Sequence, residues 1–463
     1  MDVKILSIGT NKGAKRVWIE GSMLDRAGFA PKTRYQVKTE NGAIILTKQN
    51  NGFRIVSART RADREIPIID LNSAELLSLF DGLEHVKVTF SQDAISIEPI
   101  ASEARARARI DTAKEKLSAG DVFTVGSLAH GGGVMDDALM NGLSENGIES
   151  TLKFANEIRE DLTEHSINLK RSITKNTIVI NGKMQEIAFD PAIVNQVGTV
   201  DLLFAGLPCS GASVAGRAKR GTSHAEAHPE VGHLVVPFLA LVARFNPLGI
   251  VLENVIPYAS SASMSIIRTM LADLGYEVHE TELSGADFGA LENRKRLVMV
   301  AVTKGMQFDF SQIEKNPKAS KTLADILEPI AENDPRWNAM QGLKNKEKRD
   351  AENGKSFAMQ IFTADSQSIC TLTKGLSKNR STDAKIQHPT NPELLRVPTA
   401  LEHAKCKQIP PEMIVGLSQT IAHEMLGQSV IYGKMVAVGK LLASYIKTLA
   451  EPKQESYFCL TGS

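Results

Sequence analysis

The chain has 463 residues, of which 42% are hydrophobic, and its 54 Lys and Arg nearly balance its 53 Asp and Glu. This length predicts more than one domain, and the composition excludes a disordered chain, a disulfide framework and, without a CxxC pair, a zinc ribbon. We expect a soluble protein of a reducing compartment, with no bound metal, signal segment or membrane span.

The near-zero net charge conceals an uneven distribution. Residues 1–60 contain 11 Lys and Arg against 4 Asp and Glu, whereas residues 61–100 contain 3 against 8. A basic segment is thus followed by an acidic one, and local patches rather than the total decide whether a nucleic acid can bind. A nucleic-acid partner therefore stays open.

Residues 1–100 look like two copies of one unit with a period of 51 residues, although two unrelated α+β pieces are the alternative. Each copy contains a strand, a short helix and a hairpin, and Asn41-Gly42 marks the first hairpin turn. The run KRVWIEGSMLDRAGFAPKTRYQVKTENGAIILT at 15–47 resembles the swapped-hairpin (AbrB-like) family of transcription regulators and antitoxins. The resemblance implies a β-rich DNA-binding pseudo-dimer within one chain.

A helical connector is predicted for residues 101–120, followed by a long α/β region. Arg105 and Arg109 share one face of this helix, and a solvated face is favoured over phosphate contact. From residue 121, strands alternate with helices, which is typical of a parallel sheet covered by helices. The predicted segments are 1–100 for the repeat domain, 101–120 for the linker, 121–302 for the α/β domain, 303–395 for an irregular region, 396–450 for returning apolar helices and 451–463 for a tail.

Within that α/β region the apolar runs predict five strands and locate the polar stretches between them. The strands are predicted at 122–125, 151–155, 200–205, 249–252 and 297–302. The polar run GLKNKEKRDAENGK at 342–355 predicts an exposed loop. Apolar helical periodicity extends from Glu424 to Leu449.

A cysteine follows one of these strands in a glycine-rich turn. The strand ends at Ala205, and a Gly-Leu-Pro turn then presents Cys209 where ligands gather in α/β sheets. A thiolate beside backbone dipoles and cations is a nucleophile with a lowered pKa. A buried structural cysteine is the alternative. The cations that follow it are Arg217, Lys219 and Arg220.

Two further strands carry charged residues at their ends. The run GIVLENV places Glu253 at the end of an apolar strand, where burial costs free energy unless the group is used or paired. A general acid in catalysis or a cap of the next loop would each explain it. Arg294 and Arg296 precede the last strand, and residues two apart in extended backbone share one side. Together these residues predict one nucleophile, one acid and two cations in one cleft.

These motifs, in this order, are similar to those of the DNA cytosine-5 methyltransferases. The core matches are Pro208-Cys209, Glu253-Asn254-Val255 and Arg294-Lys295-Arg296. LAHGGGV at 128–134 resembles the family's glycine-rich cofactor loop, and KFANEI at 153–158 resembles its strand with a ribose-binding acid. Further matches are Arg396-x-x-Thr399-x-x-Glu402-x-Ala404 and HEMLGQSVIYGKMVAVGKLL at 423–442, so the resemblance covers most of 121–445.

The resemblance implies a Rossmann-like sheet with a small target-recognition domain at 303–395, S-adenosylmethionine as cofactor and double-stranded DNA as partner. Cys209 would add to C6 of a flipped cytosine, Glu253 would hold N3, and Arg294 and Arg296 would hold O2 and a phosphate. The implied cofactor residues are Leu128, Ala129, His130, Gly132, Gly133, Glu157, Ile158, Met184, Pro208, Gln428, Ser429 and Val430. The implied DNA contacts are Ser213, Arg217, Lys219, Arg220, Thr373 and Lys374.

Departures from the family pattern fall mostly on the cofactor side. The family has Phe and Gly where this chain has Leu128 and His130, and an Asp where it has Lys183. It also has Gln and Asn in place of Glu292 and Gln428. A modified S-adenosylmethionine therefore stays open.

Three functions are compatible with these motifs. We favour a DNA (cytosine-5) methyltransferase of the bacterial cytoplasm, associated with the nucleoid and either monomeric or dimeric through its N-terminal domain. A tRNA cytosine-5 methyltransferase is the first alternative, and the fused DNA-binding segment argues against it. A DNA-binding regulator with a degenerate methyltransferase domain is the second, and the complete set of base-chemistry residues argues against that.

Overall fold

The computed structural model describes residues 1–61, 63–208, 226, 232–316 and 322–451. They belong to two compact units, which divide between Ala108 and Arg109. The predicted tail at 452–463 lies outside the described residues. So do five predicted site residues: Cys209, Ser213, Arg217, Lys219 and Arg220.

The first unit is built from two antiparallel sheets and two short helices. One sheet has the order β1-β9-β10-β5-β4-β6 and the other the order β2-β3-β8-β7. The strands are β1 (Asp2–Ser7), β2 (Gly9–Asn11), β3 (Ala14–Glu20), β4 (Arg34–Glu40), β5 (Ala43–Lys48), β6 (Arg54–Ile55), β7 (Ser57–Arg61), β8 (Arg64–Leu71), β9 (His85–Ser91) and β10 (Ala94–Pro99). The helices are α1 (Ser22–Arg26) and α2 (Ala74–Leu77).

Strands of similar sequence pair with each other in this unit. β3 pairs with β8, with Ile19 opposite Ile69, and β5 pairs with β10, with Ile44 opposite Ile97. β1 pairs with β9, while β6 pairs with β4. All four of these isoleucines are buried and belong to one hydrophobic core. The unit is therefore stabilised by apolar side chains from both halves of its sequence.

Helix α3 (Ala101–Ala119) forms where the connector is predicted, but its expected solvated face is wrong for Arg109. The guanidinium of Arg109 lies 3.9 Å from the ring centre of Tyr276 and donates to the carbonyls of Leu274 and Gly275 at 3.1 and 2.8 Å. Only 5% of Arg109 is exposed. A long cation can be buried in this way because carbonyl oxygens and an aromatic face replace its hydration.

The second unit contains a seven-stranded sheet of the order β13-β12-β11-β14-β15-β17-β16. The first five of these strands are parallel, and β17 is antiparallel to both neighbours. The strands are β11 (Phe123–Leu128), β12 (Ser150–Glu157), β13 (Ile178–Asn181), β14 (Leu202–Ala205), β15 (Gly249–Asn254), β16 (Tyr276–Ser284) and β17 (Lys295–Thr303). Every residue of β14 and β15 is buried, as expected for strands covered on both faces.

Among the described residues, the helices of this unit lie between the strands of the sheet and after its last strand. They are α4 (Val134–Glu145), α5 (Glu160–Leu169), α6 (Met184–Ala188), α7 (Pro191–Val197), α8 (Val235–Phe245), α9 (Ala262–Asp273), α10 (Gln341–Glu352), α11 (Ala400–Cys406), α12 (Gln419–Gln428) and α13 (Tyr432–Lys447). A small sheet of β18 (Gln360–Phe362), β19 (Ala384–Gln387) and β20 (Leu395–Arg396) lies in the region predicted to be irregular. The five predicted strands and the helix-covered sheet are thus confirmed.

One prediction of local structure is wrong. The run at 342–355 forms most of α10 rather than a loop, because it is rich in Lys, Glu and Arg and contains an i,i+4 ion pair between Lys346 and Asp350. The apolar helical periodicity predicted from Glu424 to Leu449 corresponds to two helices, α12 and α13, which Ser429–Ile431 separates. No single described helix is long and apolar enough to cross a bilayer, although α12 and Tyr432–Ala450 pass that test as a bent pair.

Helices α4 and α13 cross with their backbones in contact, and two glycines permit it. A Cβ on Gly142 would lie 2.1 Å from the carbonyl oxygen of Val436, and one on Gly439 would lie 2.3 Å from that of Leu139. We expect Gly439→Ala to lower the free energy of unfolding by about 1–3 kcal/mol in urea denaturation, because the helices must move apart. Ser444→Ala on the exposed face of α13 is the control, and an equally small loss in both variants would contradict the prediction.

Candidate active site

Several of the predicted site residues that the structure describes lie at the edge of the sheet where β11, β12, β14 and β15 end. Leu252 on β15 is opposite Ala205 on β14, so Glu253 lies level with the start of the Gly-Leu-Pro turn. The side chain of Asn254 donates to the carbonyl of Leu207 at 3.3 Å and accepts from the backbone N–H of Val255 at 2.8 Å. Asn254 therefore fixes the turn that leads to position 209 against the end of β15.

The carboxylate of Glu253 is buried between two cations. Its Oε1 atom lies 3.8 Å from Nε of Arg296 and 3.9 Å from Nζ of Lys434, which is longer than a hydrogen bond. Among the described residues this oxygen has no hydrogen-bond partner. An acid in this position is held by charge rather than by direct hydrogen bonds at Oε1, which leaves that atom available to a hydrogen-bond donor.

Arg294 is turned towards the C-terminal part of the chain rather than towards Glu253. Its Nη1 atom lies 3.5 Å from the carbonyl oxygen of Gly427 and 3.9 Å from Oε1 of Glu292. Only 5% of Arg294 is exposed. Both predicted arginines therefore lie near the site. Arg296 is beside Glu253, whereas Arg294 faces Glu292 and the carbonyl of Gly427.

Two buried lysines beside these residues escaped the sequence prediction. Lys407 is fully buried with its Nζ 3.0 Å from the carboxylate of Glu292, and burial lowers the pKa of Lys407 to about 7 against the opposing effect of Glu292. Burial also lowers the pKa of Lys434 to about 8, which Glu253 opposes. The only sequence signals were the acidic residue at 292, where the resembled family has Gln, and a lysine within an apolar helix.

The glycine-rich loop after β11 is joined to the acid at the end of β12. Ala129, Gly131 and Gly133 have positive φ angles of 56°, 58° and 74°, which lets the chain turn sharply into α4. The backbone N–H of Gly131 donates to Oε2 of Glu157 at 2.7 Å. The Oε1 atom of Glu157 accepts from the backbone N–H groups of Ile158 and Arg159 at 3.0 and 2.9 Å. Hydrogen bonds therefore hold the carboxylate of Glu157 in a fixed position against the loop.

Several predicted cofactor side chains do not face this loop's open side. Leu128 and Met184 lie in the hydrophobic core, so a ligand could reach only their backbone atoms. The buried Nδ1 of His130 lies 2.6 Å from Oδ2 of Asp136 and is held beneath the loop. A Cβ on Gly132 would lie 2.1 Å from Sδ of Met425. That these residues bind the cofactor therefore stays a prediction.

The C-terminal segments approach the same edge. Gln428, the last residue of α12, is exposed, and after it Ser429 is half-buried and Val430 is buried. A Cβ on Gly427 would lie 2.0 Å from the backbone nitrogen of Lys374, so the exposed pair Thr373-Lys374 packs beside the carbonyl that Arg294 faces. The predicted cofactor residues that begin at Gln428 and the predicted DNA contacts Thr373 and Lys374 therefore lie close together.

Two buried histidines behind the site should make the fold sensitive to acid. Nδ1 of His403 lies 3.0 Å from Nδ1 of His423. Burial lowers the pKa of His423 to about 4, opposed by Glu402, and the pKa of His403 is lowered well below 6.5 by burial and the charge of Lys407.

Because both pKa values are lower in the folded than in the unfolded chain, the contribution to stability is complete above pH 6.5 and is lost as the pH falls towards 4. We expect His423 alone to remove about 3 kcal/mol of unfolding free energy over that range in urea titrations. The double variant His403→Leu/His423→Leu should flatten this dependence, whereas His233→Gln at an exposed histidine should not. An unchanged dependence in the double variant would disprove the prediction.

No group of three His, Cys, Asp or Glu side chains in the part of the chain that the structure describes is arranged to hold a metal ion. The strand order, the glycine-rich loop after the first parallel strand and the acid after the second define the class as an α/β methyltransferase fold with a mixed sheet.

The family follows from comparison with known proteins. The sequence profile of the C-5 cytosine-specific DNA methylases matches residues 137–443, and the chain therefore belongs to that family. The Type II methyltransferase M1.ScrFI of Lactococcus lactis subsp. cremoris is 27% identical over 257 residues, which cover 53% of this chain and 63% of the relative. M.HpaII of Haemophilus parainfluenzae is 27% identical over 270 residues, covering 54% and 73%.

Among these relatives the match to M1.ScrFI thus spans less than two thirds of its length. The Dnmt2 methyltransferase of S. pombe is similar in structure, with a TM-score of 0.54 over 71% of this chain and 99% of that chain, at 18% sequence identity. A methyltransferase of Entamoeba histolytica, EhMeth, gives the same TM-score of 0.54 at 17% identity, over 70% of this chain and 98% of its own. These likenesses show the fold.

Proposed function

We propose that the protein is a DNA (cytosine-5) methyltransferase that modifies a cytosine in a specific DNA sequence. The observation that carries this proposal is the position of Glu253 at the end of β15, beside Arg296 and level with the turn that leads to Cys209. Family membership supports the same reaction. A role in DNA modification is supported by two bacterial relatives that are named as Type II methyltransferases.

The reaction needs a nucleophile at C6 of the base and a proton at N3. Cys209 adds to C6, Glu253 stabilises the proton on N3, and Arg296 and Arg294 balance charge around the base. The base must leave the duplex stack to reach these groups. Ser213, Arg217, Lys219 and Arg220, in the segment after Cys209, then contact DNA phosphates.

The loop between β11 and α4 fits S-adenosylmethionine, which supplies the methyl group when bound. Glu157 accepts three hydrogen bonds, and a carboxylate accepts about four, so one ribose hydroxyl can still donate to it. Ile158 beside it is 63% exposed and offers an apolar face to an adenine ring. A Cβ on Gly131 would meet nothing within 4 Å, so there is open space at the loop. Ala129, Gly132, Gly133, Pro208, Gln428, Ser429 and Val430 complete the proposed cofactor site.

We also propose that residues 1–100 are a tandem repeat that binds DNA as a pseudo-dimer within one chain. The pairing of β3 with β8 and of β5 with β10 supports a two-fold arrangement of two equivalent halves. Lys12, Arg61 and Arg64 are exposed at the ends of the two hairpins. Changing these three residues to Glu in the full chain should weaken DNA binding and reduce its salt dependence, because phosphate contacts release counterions.

Target recognition is assigned to residues 303–395, with Thr373 and Lys374 as DNA contacts. The segment is attached to the catalytic edge by backbone bonds from Asn293 to the carbonyl of Ile369 at 2.9 Å and from Ile369 to the carbonyl of Leu291 at 2.8 Å. These bonds lie directly before Arg294 in sequence. Side chains of this segment would therefore contact DNA bases close to the cytosine that reacts.

Expression in a bacterium without its own cytosine methylation tests the proposed function. After bisulfite treatment, we expect protected cytosines in one short DNA context, and none in cells that express Cys209→Ser. Protection confined to tRNA would move the substrate to RNA. An absence of protection in both, with DNA binding retained, would identify a DNA-binding protein without this activity.

A further inference from the structure

Lys434 is a buried ammonium group for which the base chemistry above has no role. Its side chain is fully buried in the first turn of α13, and Nζ has no hydrogen-bond partner among the residues that the structure describes. A cation in the first turn is also opposed by the positive end of the helix dipole. Burial and the dipole both disfavour this charge, and such groups cluster at functional sites.

Among the described residues, the acid that faces this ammonium group within 4 Å is Glu253. Nζ of Lys434 lies 3.9 Å from Oε1 of Glu253, the same oxygen that has no hydrogen-bond partner in the described chain. The other charged groups that act on Lys434 are Arg294 and Arg296, which disfavour its charge, and Glu292, which favours it. A movement of about 1 Å would bring Nζ and Oε1 to hydrogen-bond distance, and catalytic contacts often tighten when substrate binds.

We propose that Lys434 is a positioning residue that supplies, through Glu253, the proton placed on N3 of the cytosine. The inference rests on the proposed function. One Nζ–H bond of Lys434 breaks and an O–H bond forms on Glu253. That O–H bond then breaks as the N3–H bond forms, while the thiolate of Cys209 gives its electron pair to C6.

Charge is balanced in this step. The thiolate loses its negative charge and the ammonium loses its positive charge, so the base adduct and Lys434 both end neutral and Glu253 is a carboxylate again. When the bond from sulfur to C6 breaks, the proton returns from N3 through Glu253 to Lys434. The buried position of Lys434 suits this cycle because the proton is stored without exchange with water.

The electrostatics of Lys434 agree with a group that gives up a proton near neutral pH. Burial lowers its pKa to about 8, an effect that Arg294 and Arg296 strengthen and Glu253 and Glu292 oppose. A proton donor is most efficient when its pKa is close to the working pH. The ammonium form is the donor, so the turnover rate should fall as the pH rises through about 8.

The test compares the purified full-length protein with Lys434→Met, using S-adenosylmethionine and unmethylated bacterial DNA. Met retains the length of the side chain without its charge. We expect kcat at pH 7 to fall by about 10- to 100-fold with KM for DNA unchanged, and the alkaline limb of the pH profile to disappear. Thermal unfolding should occur at or above the temperature of the unchanged protein, because a buried charge without a hydrogen bond is removed.

Lys440→Met is the matched control, since Lys440 lies on the same helix in an exposed ion pair with Glu145. It should leave kcat and the pH profile unchanged. Normal turnover and an intact alkaline limb in Lys434→Met would overturn the inference and leave the proposed function standing. If the Lys434→Met protein does not fold, Lys434 has a structural role rather than one in proton transfer, and the inference is also overturned. An inactive unchanged protein would instead contradict the proposed function, and the inference with it.

Discussion

Glu253→Gln should lower kcat for DNA methylation by about 10²- to 10³-fold with little change in the KM for DNA. Glutamine fills the same space at the end of β15 but can neither receive nor pass on a proton. The substituted position is 8% exposed, so water cannot take over the role of the carboxylate. Turnover of the purified protein, measured as transfer of labelled methyl groups to DNA, checks this prediction.

The control for this variant is Glu282→Gln, at an exposed acid on the edge strand β16, which β17 separates from β15. It should retain full activity. Since Glu253 lies beside Arg296 and Lys434, its amide variant also removes a negative charge that faces two cations. A melting temperature close to that of the unchanged protein is needed to assign the loss to chemistry. Equal turnover in Glu253→Gln and Glu282→Gln would contradict the role given to Glu253.

Arg396→Met should lower the free energy of unfolding by about 3–5 kcal/mol, because it leaves a buried carboxylate without its partner. Nη1 and Nη2 of Arg396 donate to the two carboxylate oxygens of Glu402, each at 2.7 Å. The side chains are 2% and 1% exposed. Glu402 also accepts from the backbone N–H of Thr399 at 2.9 Å, and Thr399 is the N-cap of α11. Urea denaturation at pH 7.5 measures the effect.

The exposed ion pair between Lys440 and Glu145 provides the comparison, with 39% and 42% of the two side chains exposed. Lys440→Met should change the free energy of unfolding by less than about 1 kcal/mol, since water screens such pairs. If the two variants lost similar amounts of stability, the ion pair between Arg396 and Glu402 would have no special part in holding α11.

The parts of the fold that were predictable are those with continuous apolar sequence. LLFA in β14 and GIVLEN in β15 are buried on both faces. A short, continuous apolar run is typical of such a strand, so its position can be predicted from the sequence. The strand β16 was not predicted, because YEVHETELS carries charged residues as an edge strand does. The helix α10 was missed because it lacks an apolar stripe and is stabilised by charged pairs on its surface.

The site was predictable where single residues follow strands, and not where partners come from distant segments. Glu253 and Arg296 could be placed because each lies at the end of an apolar strand. Lys434 and Lys407 could not, since a lysine in a helical run normally faces water. The ion pair of Lys407 with Glu292 joins residues 115 positions apart, a contact that no local pattern reports. The burial of His130 against Asp136 likewise appears only once the loop is folded.

Covalent trapping on DNA that contains 5-fluorocytosine tests the central claim most directly. Fluorine at C5 cannot leave as a cation, so an enzyme that adds to C6 and transfers a methyl group to C5 stays bound to the base. With S-adenosylmethionine and random-sequence duplex DNA, we expect a complex that survives denaturation and is absent for Cys209→Ser. A trapped complex on tRNA but not on DNA, or no complex on either, would contradict the assignment as a DNA (cytosine-5) methyltransferase.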